Sequence, residues 1–301
     1  MNAEWHGVYP AVTTQLRSDQ SIDLEATAAH VEMLIRAGVH GLIMLGGVGE
    51  NFALAPDEKR AVLKTAVEAV AGRVPLLSGL AENATASACQ FAADAEALGV
   101  DGLMVLPARS YRSDGRETLA YYRELCRASD LPIMCYNDPV SDGVDVTPEM
   151  FAELADEPTL VAIKESSDDT RRFVDLANAC GDRYLLFCGV DDLLLESVLL
   201  GATGWVAGLV NAFPEESLRL WDLAVAGRWD EARDLYRWFM PLLHLDDDVK
   251  LVQYIKLAQA MCGLGSEHVR APRMMLAGAE RERVIAVIQA ALDSRPRLAA
   301  A

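Results

Sequence analysis

The sequence predicts an α/β fold, a (β/α)₈ TIM barrel with a C-terminal helical extension, from three observations. Short apolar runs alternate with amphipathic segments over the first two thirds of the 301-residue chain. There are eight such runs, which is the number of strands that closes a barrel. The glycine turn that binds phosphate in open, doubly wound sheets is missing.

The predicted strands are these eight runs, each bounded by polar or turn-forming residues. Short apolar runs of this kind suit strands that are buried on both faces, as in a parallel sheet. The runs cover residues 8–13, 41–45, 75–79, 102–106, 132–136, 160–164, 184–188 and 205–210.

The predicted helices lie between the runs and carry apolar residues on one face. Over residues 23–37, Leu24, Val31 and Ile35 share a face, and Gly38 follows where a helix-ending glycine is favoured. The same pattern recurs before Gly72, Gly99 and Gly181. Strand and helix therefore alternate, which is typical of a parallel sheet covered by helices.

Strand signals stop after the eighth run, and the rest of the chain has a helical pattern. Apolar residues recur at helical spacing, as in Leu218 and Trp221, and no low-complexity linker intervenes. We therefore predict a catalytic barrel over residues 1–212 and a C-terminal helical domain over residues 213–301. The helices predicted in this domain cover residues 214–226, 229–245, 249–262 and 279–292.

A nucleotide or metal site is not expected. The stretch nearest to a dinucleotide-binding turn, residues 47–52, lacks the third glycine, and the chain has no Gly-Lys-Ser/Thr phosphate loop. The cysteines and histidines do not pair at the spacing of a zinc site. We therefore predict no cofactor and no metal.

Charge and composition narrow the class of partner. The net charge is −18, from 27 Lys and Arg against 45 Asp and Glu, which disfavours nucleic acid and anionic membrane surfaces. The six cysteines fall singly and indicate buried thiols in a reducing compartment. Residues 1–6 show no signal peptide, and no run nears the length of a membrane span. A cytoplasmic protein that acts on a small molecule is the expectation.

Lys164 is the first candidate for chemistry, because it ends an apolar run and precedes the polar stretch 165–169. In a barrel of this kind the carboxyl ends of the strands form the active site. Desolvation lowers the pKa of a buried lysine, and the neutral amine can attack a carbonyl or imine carbon. The alternative is a side chain that only extends its charge to solvent from a strand end.

Tyr136 is the second candidate. It ends the fifth predicted strand, which neighbours the sixth in a barrel, and adjacent strands lie about 4.8 Å apart. Its phenol could therefore reach atoms bonded to Lys164 and move protons there. The alternative is a core aromatic side chain that closes the end of the barrel.

Three motifs carry a resemblance to a known family. They are Gly46-x-x-Gly49-Glu50 after strand two, Tyr136-Asn137-x-Pro139 after strand five, and Ile163-Lys164-Glu165 at the end of strand six. In this order they resemble the dihydrodipicolinate synthase and N-acetylneuraminate lyase superfamily over essentially the whole chain. The resemblance implies a class I aldolase-type barrel in which Lys164 forms a Schiff base with a 2-oxo acid or related imine and Tyr136 shuttles protons. It also implies a homo-oligomer, commonly a tetramer, with a dimer as the alternative.

Several positions depart from the family pattern. The lysine-pathway synthase and the sialic acid lyase have two hydroxyl residues at the positions of Gly47 and Val48, and the synthase has an arginine at Ser141 for a second carboxylate. The synthase's partner-subunit tyrosine aligns near Arg109, with Tyr111 close by, and the sequence leaves open whether either completes a neighbouring site. A substrate without a second carboxylate is therefore favoured.

A narrower resemblance points to one subgroup, the 1-pyrroline-4-hydroxy-2-carboxylate deaminases of hydroxyproline catabolism. It implies a Schiff-base deaminase and hydro-lyase that forms 2,5-dioxopentanoate and ammonia. Within the similar stretches, Arg171 and Arg172 are expected in the first turns of a solvated helix, and His244 is expected to pack or to cap a helix. The similar stretches are residues 166–173, 204–206, 211–214, 238–245, 255–257 and 278–281.

This chemistry suits the residues at the strand ends. Backbone amides near Gly47 and Val48 and the hydroxyl of Ser166 could bind the substrate carboxylate. Asp191 could hold the 4-hydroxyl, or it could only cap the following helix. Glu50 is expected to brace its loop. The predicted substrate-binding residues are Gly47, Val48, Ser166, Gly189, Asp191 and Ala207.

Other functions stay open. A retro-aldol lyase or a dehydratase acting on a 2-oxo-3-deoxy sugar acid would use the same Lys164 and Tyr136, and so would a lyase like dihydrodipicolinate synthase. The last alternative is a non-catalytic binding protein on the same barrel. The missing hydroxyl pair permits it, whereas the intact lysine and tyrosine disfavour it.

Overall fold

The computed structural model describes residues 4–298, which form a (β/α)₈ barrel followed by further helices. The predicted fold class is confirmed. Residues 1–3, part of the segment expected to lack a signal peptide, and residues 299–301, at the end of the predicted helical domain, lie outside the described residues. Between residues 4 and 298, no helix has both the length and the apolarity needed to cross a membrane.

All eight predicted strands are present and parallel. They are β1 (Gly7–Pro10), β2 (Leu42–Met44), β3 (Leu76–Leu80), β4 (Gly102–Val105), β5 (Ile133–Asn137), β6 (Leu160–Glu165), β7 (Leu185–Cys188) and β8 (Gly204–Ala207). The sheet order is β1-β8-β7-β6-β5-β4-β3-β2. The N–H of Val12 donates to the carbonyl of Ile43 at 2.9 Å, beside a bridge between Ala11 and Ile43. These contacts bring β1 next to β2, so the sheet curls into a barrel.

The last strand is shorter than the sequence predicts. β8 ends at Ala207, and a 3₁₀ helix at Leu209–Asn211 takes the place of the rest of the predicted strand. The Nδ2 atom of Asn211 donates to the carbonyls of Ala11 and Gly208, both at 2.8 Å. The apolar run therefore continues into a turn that is held against the first strand.

Helices connect the strands and cover the barrel. Their ends carry the caps that the sequence indicates. Asp23 accepts the N–H of Ala26 at the start of the first helix, and Gly38 ends that helix in the left-handed conformation, with φ 99°. The helices are α1 (Leu24–Ala37), α2 (Pro56–Val70), α3 (Thr85–Leu98), α4 (Gly115–Ala128), α5 (Pro139–Asp142), α6 (Pro148–Glu153), α7 (Arg171–Cys180), α8 (Leu194–Leu199), α9 (Pro214–Val225), α10 (Trp229–Leu243), α11 (Leu251–Met261) and α12 (Gly278–Asp293).

The core of the barrel is filled by side chains. Tyr9 of β1 and Phe187 of β7 are buried and meet edge to face, with ring centroids 5.4 Å apart. Strand residues on both faces are buried, in keeping with the continuous apolar runs. A barrel packed in this way has its chemistry at the strand ends rather than in a channel.

The C-terminal helices α9 to α12 follow the barrel, and buried polar contacts join them to it. Lys256 of α11 and Glu50, after β2, form an ion pair of 2.5 Å with both side chains fully buried. Glu50 also accepts the N–H of Arg270 at 2.9 Å. Glu50 is therefore held as a brace between the loop and these helices. The division of the chain at residue 212 stays a prediction.

Candidate active site

Neighbouring strands bring Lys164 and Tyr136 together. Lys164 on β6 is in register with Tyr136 on β5 and, on its other side, with Phe187 on β7. The Nζ atom of Lys164 lies 3.6 Å from the centroid of the Tyr136 ring. An amine and a phenol are thus in contact at the carboxyl ends of two strands.

The amine of Lys164 is buried, and the residue is only 6 % exposed. Burial lowers the pKa of Lys164 because the charged form loses its hydration, while the carboxylates of Asp138, Asp246 and Asp191 oppose this change. The amine therefore loses its proton more readily than it would in water. The neutral form is the one that attacks carbonyl and imine carbons.

The phenol of Tyr136 has a carboxylate partner. Its O–H donates to Oδ2 of Asp138 at 3.2 Å, and Oδ1 of Asp138 accepts the N–H of Ser141 at 3.0 Å. Burial first, and then the charges of Asp138 and Asp142, raise the pKa of Tyr136 well above its ordinary value. Because the phenol stays protonated at neutral pH, it can accept a proton only by passing its own to Asp138.

Gly189 makes room for two side chains at the end of β7. A Cβ atom at this position would overlap Oγ of Ser166 and lie 2.7 Å from Cε of Lys164. Oγ of Ser166 is buried and has no hydrogen-bond partner among the described residues. An unused hydroxyl therefore lies beside the amine, where it could bind a ligand.

The loop after β2 contains backbone N–H groups without internal partners. Those of Gly47 and Val48 donate no hydrogen bond within the described part of the chain, and a Cβ added at Gly47 would meet no atom within 4 Å. Leu45 and Glu50 hold left-handed conformations, with φ 56° and 59°. The side-chain Nδ2 of Asn51 donates to the backbone carbonyl of Leu45 at 2.6 Å, and this bond holds the left-handed backbone in place.

Asp191 and Asp246 come from distant parts of the chain. Asp191, after β7, is 2 % exposed, and its Oδ2 accepts the N–H of Leu209 at 3.1 Å. Asp246, in the loop between α10 and α11, lies within hydrogen-bonding reach of Asp191. Burial raises the pKa of both carboxyl groups, and the charge of Asp246 raises that of Asp191 further. The C-terminal helices thus supply a group to the barrel end.

Arg109, in the loop after β4, is engaged within its own chain. Its guanidinium pairs with Asp142 at 2.9 Å and lies over the ring of Phe52, 4.4 Å from the centroid. Burial raises the pKa of Asp142 to about 6, although Arg109 acts to lower it. Tyr111 is 60 % exposed. The charge of Arg109 is therefore already matched by a carboxylate.

Val48 and Ala207 bring no polar side chain to the site. Both are buried, and the carbonyl of Ala207, at the end of β8, accepts the N–H of Ala11 at 2.9 Å. Their part in substrate binding stays a prediction that rests on their position at strand ends.

The residues expected to be structural make ion pairs. Arg171 on α7 pairs with an exposed aspartate, as a solvated position should. Arg172 is less solvated than expected, because its guanidinium is partly buried against Asp145, at 2.9 Å. His244 follows α10 and contacts Asp192 at 2.8 Å, which fits a role at a helix end.

Three carboxylates around the amine are not apparent from the sequence pattern. Asp138 stands inside the Tyr136 motif, but its hydrogen bond to the phenol depends on the turn after it. Asp142 is placed by α5, and Asp246 arrives from the C-terminal helices. A run of acidic residues after a predicted helix is ordinarily a solvated turn, so no local signal marks Asp246.

The candidate site is therefore acidic around one buried amine. Carboxyl groups of Asp138, Asp191 and Asp246 act on Lys164, and Asp142 acts on the neighbouring phenol. Such surroundings stabilise positive charge at a nitrogen and disfavour a further carboxylate. Fold and site together define the class: a barrel enzyme of the lysine Schiff-base lyase type.

Comparisons with known proteins give the family. A model described as the dihydrodipicolinate synthetase family matches residues 4–291, and the chain belongs to this family.

Individual relatives agree in fold and extent. The 4-hydroxy-tetrahydrodipicolinate synthase of Methanococcus maripaludis is 32 % identical over 268 residues, which cover 88 % of this chain and 91 % of the relative. The solved structure of the synthase of that name from Methylacidiphilum fumariolicum superposes with a TM-score of 0.90 at 26 % identity, covering 97 % and 98 % of the two chains. The Escherichia coli prophage protein YagE, solved in complex with pyruvate, has a TM-score of 0.90 at 27 % identity, covering 96 % and 99 %.

Proposed function

We propose that this protein is a Schiff-base-forming deaminase and hydro-lyase. It converts 1-pyrroline-4-hydroxy-2-carboxylate to 2,5-dioxopentanoate and ammonia. The observation that carries the proposal is the buried amine of Lys164, packed on Tyr136 and surrounded by carboxyl groups. A substrate with one carboxylate and a basic nitrogen suits these surroundings.

The substrate's single carboxylate has donors within the site. The amides of Gly47 and Val48 and the hydroxyl of Ser166 make no hydrogen bond within the described residues. Arg109 offers no free charge to a second carboxylate, because it is paired with Asp142. Ser141 stands where the family resemblance implies an arginine.

The first step is attack by the neutral Nζ of Lys164 on C2 of the cyclic imine. Transimination breaks the bond between C2 and the ring nitrogen, which becomes a primary amine on C5. The ring opens, and C2 is now bound to Lys164 as a Schiff base. Nearby carboxylates stabilise the positive charge of this protonated imine.

Loss of a proton from C3 is the next step, because the protonated imine makes that proton acidic. Tyr136 accepts it while passing its own proton to Asp138. The C–H electron pair forms the C2=C3 bond of an enamine. The enamine then expels the 4-hydroxyl, and the C4–O bond breaks as water leaves.

Two hydrolyses complete the reaction. After elimination, tautomerisation places an imine at C5, and one water releases its nitrogen as ammonia. A second water frees the C2 ketone from Lys164. One water leaves and two enter, so the balance is substrate plus one water giving 2,5-dioxopentanoate and ammonia.

The names of the relatives support a second candidate, a lyase like 4-hydroxy-tetrahydrodipicolinate synthase. It would use the same Lys164 and Tyr136. The acidic surroundings and the serine at position 141 favour the deaminase. Product analysis separates the two, since only the deaminase releases ammonia.

The test is turnover of the purified protein on 1-pyrroline-4-hydroxy-2-carboxylate, with ammonia and 2,5-dioxopentanoate followed together. Parallel assays follow pyruvate release from a 2-oxo-3-deoxy sugar acid and formation of 4-hydroxy-tetrahydrodipicolinate. Borohydride trapping with pyruvate should place a mass adduct on Lys164. Lys164→Ala should lose the adduct and turnover, whereas Lys64→Ala, at an exposed position on α2, should keep both.

Each outcome assigns a function. Ammonia and 2,5-dioxopentanoate in equal amounts support the deaminase. Trapping without either product refutes the deaminase and leaves the lyase class. If no adduct forms on Lys164 with any of these substrates, both enzymatic candidates are refuted and a binding protein remains.

A further inference from the structure

Three buried carboxyl oxygens in the candidate site have no hydrogen-bond partner among the described residues. They are Oδ2 of Asp142, which pairs with Arg109 through its other oxygen, and Oδ1 of Asp191 and Oδ1 of Asp246, which have no cation partner. An ionised carboxylate only accepts hydrogen bonds, so two adjacent carboxylates cannot satisfy each other. Asp191 and Asp246 lie within hydrogen-bonding reach of each other, so with one proton between them one side chain can donate and the other accept. Like charges in contact favour this singly protonated form.

The surrounding backbone holds this pair in place. The N–H of Leu209 donates to the other oxygen of Asp191 at 3.1 Å. A Cβ atom at position 208 would overlap Oδ1 of Asp246 and lie 2.6 Å from Cδ1 of Ile255, so Gly208 is what allows the approach. The pair is therefore a packed contact between the barrel and the loop from α10 to α11.

A separate observation points to a ligand site at Lys164, on whose amine Asp191 and Asp246 act. Oγ of Ser166 is buried without a partner, and the residue is 6 % exposed. Oγ of Ser166 and Cε of Lys164 both lie close to the point that a Cβ atom at Gly189 would occupy. A buried hydroxyl with unused capacity beside the amine is accounted for by a polar ligand bound there.

We propose that Asp191 and Asp246 share one proton and that Asp191 delivers it to the departing hydroxyl of the substrate. This inference rests on the proposed function. The C4–O bond breaks with its electron pair on oxygen, the proton from Asp191 completes the water, and solvent returns a proton to the pair. Asp191 is the catalytic acid. Asp246 is a positioning residue, because it acts by keeping Asp191 protonated.

The test variant is Asp246→Asn, with Asp247→Asn as its matched control. The asparagine can still donate to Asp191, but it removes the charge that helps to raise the pKa of Asp191, so it favours the ionised form that has no proton to give. We expect elimination to slow by about 10²–10⁴-fold, the usual contribution of a general acid. Borohydride trapping of pyruvate and exchange of its methyl protons in D₂O should persist, because neither needs a leaving hydroxyl. Asp247→Asn removes the adjacent, exposed carboxylate and should keep all three activities.

Two results would overturn the proposal. One is unchanged elimination in Asp246→Asn. The other is an equal loss of elimination, trapping and exchange, which would mean that Asp246 only supports the structure.

Infrared spectroscopy separates this inference from the proposed function. The difference spectrum between wild type and Asp246→Asn at neutral pH should contain the band of a protonated carboxylic acid, and the difference against Asp247→Asn should lack it. If wild type releases no ammonia from the pyrroline substrate, the proposed function fails and the band still reports the shared proton. A missing band refutes the shared proton itself.

Discussion

Lys164 differs from the other buried lysines in what its amine contacts. Lys59 pairs with Glu82 at 2.6 Å, and Lys256 pairs with Glu50 at 2.5 Å. Lys164 makes no ion pair within the described residues and instead lies over the ring of Tyr136. An ion pair holds the ammonium form, whereas a ring face stabilises it less. Lys164 is therefore the buried lysine best suited to react as a neutral amine.

Tyr136→Phe should separate Schiff-base formation from proton transfer. The phenylalanine keeps a ring against the amine but removes the hydroxyl that donates to Asp138. Borohydride trapping of pyruvate should persist, and exchange of the pyruvate methyl protons should slow by about 10²–10⁴-fold. Proton NMR in D₂O measures the exchange. Exchange at the wild-type rate would show that another group moves the proton.

Gly189→Ala should block the site without changing its chemistry. The added methyl group would overlap Oγ of Ser166 and crowd Cε of Lys164. We expect weaker trapping of pyruvate and a loss of about 1–3 kcal/mol in the free energy of unfolding, the usual cost of overpacking. Urea unfolding measures the stability. Ala207 at the end of β8 offers a comparison, because Ala207→Gly removes a methyl group instead of adding one.

At the scale of elements, the loop after β2 and helix α11 depend on each other. Glu50 sits in this loop in a left-handed conformation and is fully buried with Lys256 of α11. Removing one member of a buried ion pair leaves the other charge unpaired in a medium of low dielectric constant. The position of the amides at Gly47 and Val48 therefore depends on a helix outside the barrel.

Glu50→Gln should reduce the free energy of unfolding by about 3–5 kcal/mol, because the fully buried amine of Lys256 would lose its charged partner. Urea denaturation checks this value. Glu68→Gln, on the exposed side of α2, is the matched control and should change stability little. The double variant Glu50→Gln and Lys256→Met should recover part of the loss. A single variant as stable as wild type would contradict the ion-pair account.

Elements and candidate site differ in how far the sequence predicts them. The strands, and with them Lys164 and Tyr136, follow from local apolar runs and from the fixed neighbour order of a barrel. The early end of β8 does not follow from local sequence, because it depends on hydrogen bonds from Asn211 to the carbonyls of Gly208 and of Ala11, which is distant in the sequence. Asp246 does not either, because its place beside Asp191 requires the packing of α10 and α11 on the barrel. Long-range contacts of this kind leave no periodic pattern.

At the scale of the whole molecule, a buried polar network joins the barrel to the C-terminal helices. Nδ2 of Asn211 donates to two carbonyls, which leaves Oδ1 of Asn211 as an acceptor. Nε2 of His30 therefore donates to this Oδ1, at 2.8 Å. Nδ1 of His30 then accepts from Gln259 of α11 at 3.1 Å, and Gln259 accepts the hydroxyl of Thr13 at 2.8 Å. Every member is satisfied only when His30 is neutral.

This network predicts a loss of stability in mild acid. Burial lowers the pKa of His30 to about 4 in the folded protein, against 6.5 for an exposed histidine. The unfolded chain therefore binds a proton that the folded chain does not. With respect to His30, the free energy of unfolding is highest above pH 6.5, and it falls by about 3 kcal/mol as the pH drops from 6.5 to 4.

Urea unfolding of wild type and His30→Gln across this pH range measures the effect. The glutamine can donate and accept in the same network but does not titrate, so its stability should vary less with pH. Equal slopes for the two proteins would assign the acid sensitivity to the carboxyl groups instead.

Gly47 lies in the loop after β2 with open space beside it, because a Cβ atom added there would meet no atom within 4 Å. Gaining or losing a hydroxyl at this point makes little demand on folding. Natural selection for a new substrate can therefore act on position 47 while selection for stability acts elsewhere, which makes this loop an inexpensive place for such enzymes to diverge.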